Sequence, residues 1–497
     1  MKCDEAKPAC KRCTTTGRRC DGYTTLLLPQ PDPCAAPTPC TTWSERRMFF
    51  FFRTETASRV AGPFDQSFWT VDLLRATAVH PAIWHASIAV AAMYKRYTIP
   101  AGEATAALRS GLYEFALAQY NASISGLVGV AGAEEGPGPD GRDVILATSV
   151  LYSGLCSLRG DPKEAFLHMR SGLGLFRQWR HWERKGRRGA GRGGVLPVDS
   201  IITLFNRFES QSLNLLDDAS RIEWEGHDDI PRDPSPTPFA SVTEAYFEFE
   251  LTLNGLVDLR QRHDLVSVPS RPRPLGESRV AFRGALEAWK RKFEALWPLL
   301  RDSEMEAALT LRIRQIAFEI ALGVDAECWE LGWDEFLPQH RQIVELSRQL
   351  LEEYHPLSSS GAGGGDGYGG GGCASMFSFA ASVSEPLYIT ASSCRDGAVR
   401  REAIELLRLW PRRECLWDSV LAASLAESIM LLEESAVGNL RDVSEECYCA
   451  EGLFICHGHR VADAKLELLG EGVGMVTLRT VNDVVGERRG QVIQLSW

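Results

Sequence analysis

Cys3, Cys10, Cys13 and Cys20 fall in the pattern C-x6-C-x2-C-x6-C within the first 23 residues. A segment this short has no apolar core to fold around, and thiolates in sets of four are how such a segment folds on a metal ion. Pro8 sits in a loop position before Cys10. Six Lys/Arg (Lys2, Lys7, Lys11, Arg12, Arg18, Arg19) against three acids (Asp4, Glu5, Asp21) give the segment a net charge of +3, in a chain of 497 residues whose formal net charge is -11. Basic side chains threaded through a thiolate quartet present charge to phosphate. Lys2, Lys11, Arg12, Arg18 and Arg19 are the candidate DNA contacts, and Cys3, Cys10, Cys13 and Cys20 the candidate zinc ligands. The acidic remainder argues against nucleic-acid binding by the body of the protein.

The spacing resembles the fungal two-zinc, six-cysteine cluster of DNA-binding transcription factors, in which two C-x2-C-x6-C units are joined by a Pro-containing loop. Cys3 and Cys10 match the family's third and fourth cysteines, Cys10 at the metal-bridging position, and Cys13 and Cys20 match its fifth and sixth. The first two cysteines and the basic run that reads DNA have no counterpart between Met1 and Cys3. The resemblance therefore implies a partial, N-terminally truncated cluster: either the start lies upstream, or the DNA-reading half is lost. In the family two metals share six sulfurs. Here Cys10, Cys13 and Cys20 would keep the second metal, or all four cysteines would rearrange around one zinc. Base readout belongs mainly to the absent run, so no base specificity attaches to the residues present.

Ten further cysteines are scattered, and no signal peptide precedes them, so thiols in a reducing compartment are expected instead of a disulfide framework. No apolar run is long enough for a membrane span. Cys447-x-Cys449-x6-Cys456-His457-x-His459 invites a metal reading. Its x6 gap is too short for a ββα finger and adjacent Cys-His pairs aim poorly at one ion, so incidental thiols are expected there. Gly470-x-Gly472-x-Gly474 and the Gly361–Gly372 run lack the strand-to-helix setting of a nucleotide loop and are expected as loops. No catalytic motif is present, and the chain is expected not to be an enzyme.

Pro29, Pro31, Pro33, Pro37 and Pro39 make residues 24–45 an extended linker. From residue 46 the chain reads as helices: Ala82–Tyr97 and Ala104–Leu127 as an antiparallel hairpin, then Val144–Leu158, Pro162–Trp182, Asp199–Leu216, Ala245–Leu259, Glu304–Trp329, Leu337–Tyr354, Val399–Leu409 and Cys415–Glu433. The clearest amphipath is Phe282–Leu300, whose Phe282, Leu286, Trp289, Phe293, Leu296 and Leu300 step by four and three along one face. Inserts are expected near 131–142, 184–194 (basic and glycine-rich) and 358–373. Lys465–Leu469, Gly474–Leu478 and Gln491–Trp497 alternate and suggest a small C-terminal sheet.

A second resemblance covers this body. Phe49–Arg53 with Phe68-Trp69 and His80–Ala86, then His168–Leu173 and Phe205–Gln211, then Pro386–Tyr388, Cys394–Asp396, Arg400–Ile404 and Arg412–Asp418, follow one another as in the fungus-specific regulatory domain found behind such clusters, with Cys415 where a glycine is usual. The resulting expectation is an all-α, multi-helix regulatory domain of packed helical hairpins over 46–497, preceded by a partial zinc-cluster module at 1–23 and ending in a short β segment. The resemblance implies a zinc-dependent, sequence-specific DNA-binding transcription regulator of RNA polymerase II genes. It would be nuclear, partnered by DNA if the cluster is completed upstream, and would work as a homodimer with transcriptional co-regulators and no membrane. The alternative is a DNA-binding-deficient regulatory or scaffold protein of the same descent acting by protein contact.

Overall fold

The computed structural model describes residues 41–497 apart from 65, 100–101, 132–136, 182–195, 216–234, 253–274, 325, 357–374, 436–446, 448, 450–453 and 471. The quartet segment, most of the expected linker and the inserts near 184–194 and 358–373 therefore lie outside the described residues.

Helix α1 (Trp43–Phe51) starts inside the expected linker because Thr42 and Glu45 form a capping box. The Thr42 hydroxyl accepts the Glu45 N–H at 3.2 Å, and Glu45 returns a carboxylate to the Thr42 N–H at 2.8 Å, which satisfies two otherwise orphaned donors. A π-helical stretch, Phe52–Thr56, leads into α2 (Ala57–Ala61), and a second, Phe68–Asp72, leads into α3 (Leu73–Val79). His80 is extended, as a residue before proline tends to be, and Pro81 opens α4 (Pro81–Thr98).

α4 and α5 (Glu103–Ala131) form the expected antiparallel hairpin. Its cross-links run in opposite directions along the two helices: Ser123 Oγ donates to the Ala82 carbonyl at 2.6 Å, His85 meets Gln119 at 2.6 Å, and Arg109 reaches the Arg96 carbonyl at 2.7 Å. The many alanines of α4 are buried and permit this close approach. α6 (Pro139–Arg159) begins within the expected 131–142 insert, because Pro139 suits the first helical turn, and closes on the left-handed Gly160. α7 (Pro162–Gln178), capped by Asp161, and α8 (Val198–Leu215) complete a first core built on Phe52, Trp69, Ile83, Met93, Leu151 and Phe205. α7 ends short of the expected Trp182, and Arg180 turns to a φ of 47°.

A second core joins a helix over 242–252 (α9), α10 (Leu275–Leu296) and α11 (Met305–Gly323) through Tyr246, Phe249, Trp289 and Phe318. The stripe read from the sequence is buried from Phe282 through Leu296. Each such side chain contributes about 1.5–3 kcal/mol relative to exposure, enough to fix which face of α10 points inward. α11 stops at Gly323, and the expected helical tail becomes the 3-10 stretch Ala326–Phe336. A third core packs α12 (Leu337–Tyr354), α13 (Ser384–Ser393), α14 (Gly397–Leu409) and α15 (Ser419–Ser435).

Among the described residues, two three-stranded sheets complete the fold. In the first, β1 (Met376–Ser378) runs parallel to β2 (Arg412–Glu414), which pairs antiparallel with β3 (Trp417–Asp418). This corrects the expected helix from Cys415, which starts only at Ser419. In the second, β4 (Val461–Gly470), β5 (Val473–Thr480) and β6 (Gln491–Ser496) form the expected C-terminal meander, interrupted by α16 (Val481–Val485). The meander rests Val476, Leu478 and Leu495 on Leu421, Leu425 and Ile429 of α15. Gly472 sits in the β4–β5 turn, as the loop reading expects, whereas Gly470 ends β4 and Gly474 lies within β5. Among the described residues no helix is long and apolar enough to cross a membrane.

The β2–β3 turn explains the glycine noted at position 415. Cys415 has a φ of 56° and is the first of two residues between the paired Glu414 and Trp417, a position that favours glycine when it alone is left-handed. Its N–H donates to the Ser378 carbonyl at 2.8 Å, its side chain is fully buried, and burial pushes its thiol up to about 12. A left-handed L-residue costs about 1–2 kcal/mol, comparable to what the buried CH2–SH returns. Cys415→Gly is therefore expected to stay within about 1 kcal/mol of the parent in denaturant unfolding. Cys415→Val, β-branched at the same φ, should lose about 2–3 kcal/mol. A large loss from the glycine variant would contradict this reading.

Candidate metal centre

Just before β4, four side chains converge. Cys447 and Cys449 approach from the segment after α15, and Cys456 and His459 flank the 3-10 turn His457–His459. A 3-10 turn nearly eclipses residues three apart, so Cys456 and His459 fall on one side. The His459 Nδ1 lies 3.5 Å from Cys447 Sγ and 3.3 Å from both Cys449 Sγ and Cys456 Sγ. All four donor atoms lie within 4.8 Å of one another. Cys456 is buried and the other three are half-buried. The Cys456 N–H donates to Cys449 Sγ at 3.2 Å, and burial pushes the Cys449 thiol up to about 12.

The expectation of incidental thiols does not account for this convergence. The objection drawn from the adjacent Cys456-His457 pair does not apply, because His457 is not part of the set and the nitrogen comes from His459. The legible signal was the three-residue step from Cys456 to His459. What the sequence hid was the local turn that makes that step point one way.

The turn is held by charge beneath it. Arg460, fully buried, donates bidentately to Asp334 at 2.8 and 2.7 Å, and further to the Glu330 carbonyl at 2.7 Å and the Ile455 carbonyl at 2.9 Å. The buried Glu433 of α15 accepts from Arg400 at 2.5 Å, from Arg395 at 2.9 Å and from the Val461 N–H at 2.9 Å. Arg395 also pairs with Glu330 at 2.9 Å, whose carboxyl burial pushes up. Burial likewise lowers Arg400. The start of β4 is thus tied to α15 through one carboxylate, and the His457–His459 turn to the 3-10 stretch through one guanidinium.

A second group, Cys156, Glu164 and His168, also lies close together. There the polar demand is met without an ion. His168 Nε2 meets the Tyr120 hydroxyl at 2.8 Å, burial lowers the histidine, and burial pushes the Cys156 thiol up to about 12. Glu164 faces Arg159 at 3.7 Å. The residues singled out in the N-terminal segment, Cys3, Cys10, Cys13 and Cys20 with Lys2, Lys11, Arg12, Arg18 and Arg19, lie outside the described residues.

The chain is similar to the aspercryptin biosynthesis cluster-specific transcription regulator atnN of Emericella nidulans, at 24% identity over an alignment of 541 residues that takes in 88% of this chain and 86% of the relative. No protein-family model matches the chain, and no solved structure matches it.

Removing Glu433 leaves Arg395 and Arg400 facing one another without their shared carboxylate. Glu433→Ala is expected to cost roughly 3–5 kcal/mol, as breaking a fully buried pair does. Asp463→Ala, which removes the half-exposed partner of Arg479, should change stability by less than about 1 kcal/mol. Equal effects in parallel denaturant titrations would show that the buried network does not hold this end of the fold.

Proposed function

We propose that this chain is a fungal-type transcription regulator whose helical body, residues 42–497, is the regulatory part and whose N-terminal segment makes the DNA contact. The observation that carries the reading is the alignment with atnN along nearly the whole of both chains. An alignment of that extent takes in the cores and the joints between them and does not stop at one motif. The mostly helical architecture agrees with the regulatory domain that the sequence resembles.

In this reading Cys3, Cys10, Cys13 and Cys20 supply the thiolates that organise residues 1–23 on zinc. The metal's part is structural: it replaces the apolar core that so short a segment lacks. Lys2, Lys11, Arg12, Arg18 and Arg19 then approach phosphates, a contact that positions the protein without reading sequence. The acidic body repels the duplex and keeps contact local to the N-terminus. A homodimer and co-regulators docking on the body are the partners this reading takes, and the nucleus is where it places the protein. A second reading follows from the acidic chain, whose formal net charge is -11: a protein of the same descent would regulate through protein contact without reading DNA itself.

The test is transcript profiling in the native host with the gene deleted, then complemented by the parent chain or by a Cys10→Ser/Cys13→Ser chain. Deletion is expected to change a defined set of transcripts, and the parent chain but not the double variant should restore them. Full restoration by the double variant would favour protein contact over DNA contact. An unchanged transcript profile on deletion would overturn the regulator reading.

A further inference from the structure

We infer that Cys447, Cys449, Cys456 and His459 form a structural zinc site in the C-terminal part of the body, separate from the N-terminal quartet. Three sulfurs and one imidazole nitrogen are a closed tetrahedral donor set. Zinc with Zn–S of about 2.3 Å and Zn–N of about 2.0–2.1 Å places each sulfur about 3.5 Å from the nitrogen across a tetrahedral edge. The three observed separations, 3.5, 3.3 and 3.3 Å, match that edge.

Hydrogen bonding alone does not explain the arrangement. A single ring nitrogen either donates one proton or accepts one, yet three sulfurs crowd His459 Nδ1 at hydrogen-bond range. A cation at the centre satisfies all four atoms at once. The soft sulfur donors select zinc over magnesium or calcium, which take oxygen. With four protein ligands the site has no open position, which is the structural and not the catalytic form. The supporting shell is in place. Arg460, next to His459, is clamped on Asp334, and Gly458 lies so close to Asn482 of α16 that a side chain there would clash.

The site's position gives it a role. Cys447 and Cys449 lie on the segment leaving α15, and Cys456 and His459 on the turn entering β4. One ion therefore fastens the chain across residues 447–459 and fixes where the C-terminal meander starts relative to α15. There the ion does what a core does elsewhere.

The experiment uses the full-length chain, expressed with zinc, carrying Cys3, Cys10, Cys13 and Cys20→Ser so that the N-terminal thiols cannot contribute. Metal content by inductively coupled plasma mass spectrometry is expected at about one zinc per chain, falling to background when Cys449→Ser and Cys456→Ser are added. Cobalt substitution should give the ligand-field and sulfur-to-metal charge-transfer bands of a tetrahedral thiolate site. To make the test independent of the double variant's folding, differential alkylation is run on the zinc-loaded chain that keeps Cys447, Cys449 and Cys456. These three should resist alkylation until a chelator is added. Background zinc in the loaded chain, alkylation that ignores the chelator, or a disulfide among the three cysteines would each overturn the proposal. None of these outcomes bears on the transcript profile, so this inference and the regulator reading fail independently.

Discussion

The body depends on the short stretch from Arg412 to Asp418, where buried and half-buried charges meet the ends of three helices. The Glu414 carboxylate accepts the N–H groups of Ser382, Val383 and Ser384 at 2.7, 3.2 and 3.3–3.4 Å. It thereby places an anion at the N-terminus of α13, where the orphaned donors and the helix dipole favour one. Asp418 accepts from Val420 and Leu421 at 2.9 and 3.2 Å, capping α15, and its second oxygen takes Arg413 at 2.8 Å. Arg413 continues to the Ser157 and Leu158 carbonyls at 2.6 and 3.2 Å, at the C-terminal end of α6, and lies over the Tyr97 ring of α4. A chain of charge-assisted hydrogen bonds, each worth about 1.5–3 kcal/mol, thus runs from the first core to the third.

The segment just before α13 works from the other side. Phe379 donates its N–H to the Val60 carbonyl at 2.7 Å and accepts from Arg207 at 3.1 Å. Its ring stacks on Trp69 at 4.6 Å and lies over Gly154, where any side chain would displace it. The residues that carried the resemblance, Phe68-Trp69, Arg207, Cys394–Asp396 and Arg412–Asp418, are therefore joints between layers. This explains why those residues stand out from helices whose sequences need only be apolar on one face.

Helices were legible where one stripe met one core. Leu337–Tyr354 and the α4–α5 hairpin follow from periodicity and from prolines at their starts. The C-terminal meander was legible because β5 alternates burial along its length. Sequence reasoning failed where tertiary contact decides. β1 and β2 are three residues each, too short for a period to show, and they exist because Glu414 and Cys415 find partners far along the chain. The convergence of Cys447, Cys449, Cys456 and His459 was hidden for a related reason: its spacing matches no familiar finger, and the 3-10 turn that sets Cys456 and His459 on one side is a local feature the spacing does not show. The N-terminal quartet was the plainest signal in the sequence and lies outside the described residues.

The central claim, that the 412–418 joint couples the first and third cores into one body, is tested most directly by native-state hydrogen exchange of the parent chain and of Glu414→Gln. Coupling predicts that amides of α6 and of α13 exchange with similar opening free energies in the parent, and that the substitution lowers both together. If the variant loosens α13 while α6 keeps its protection, the two cores are independent units that merely touch, and the account of the joint is wrong.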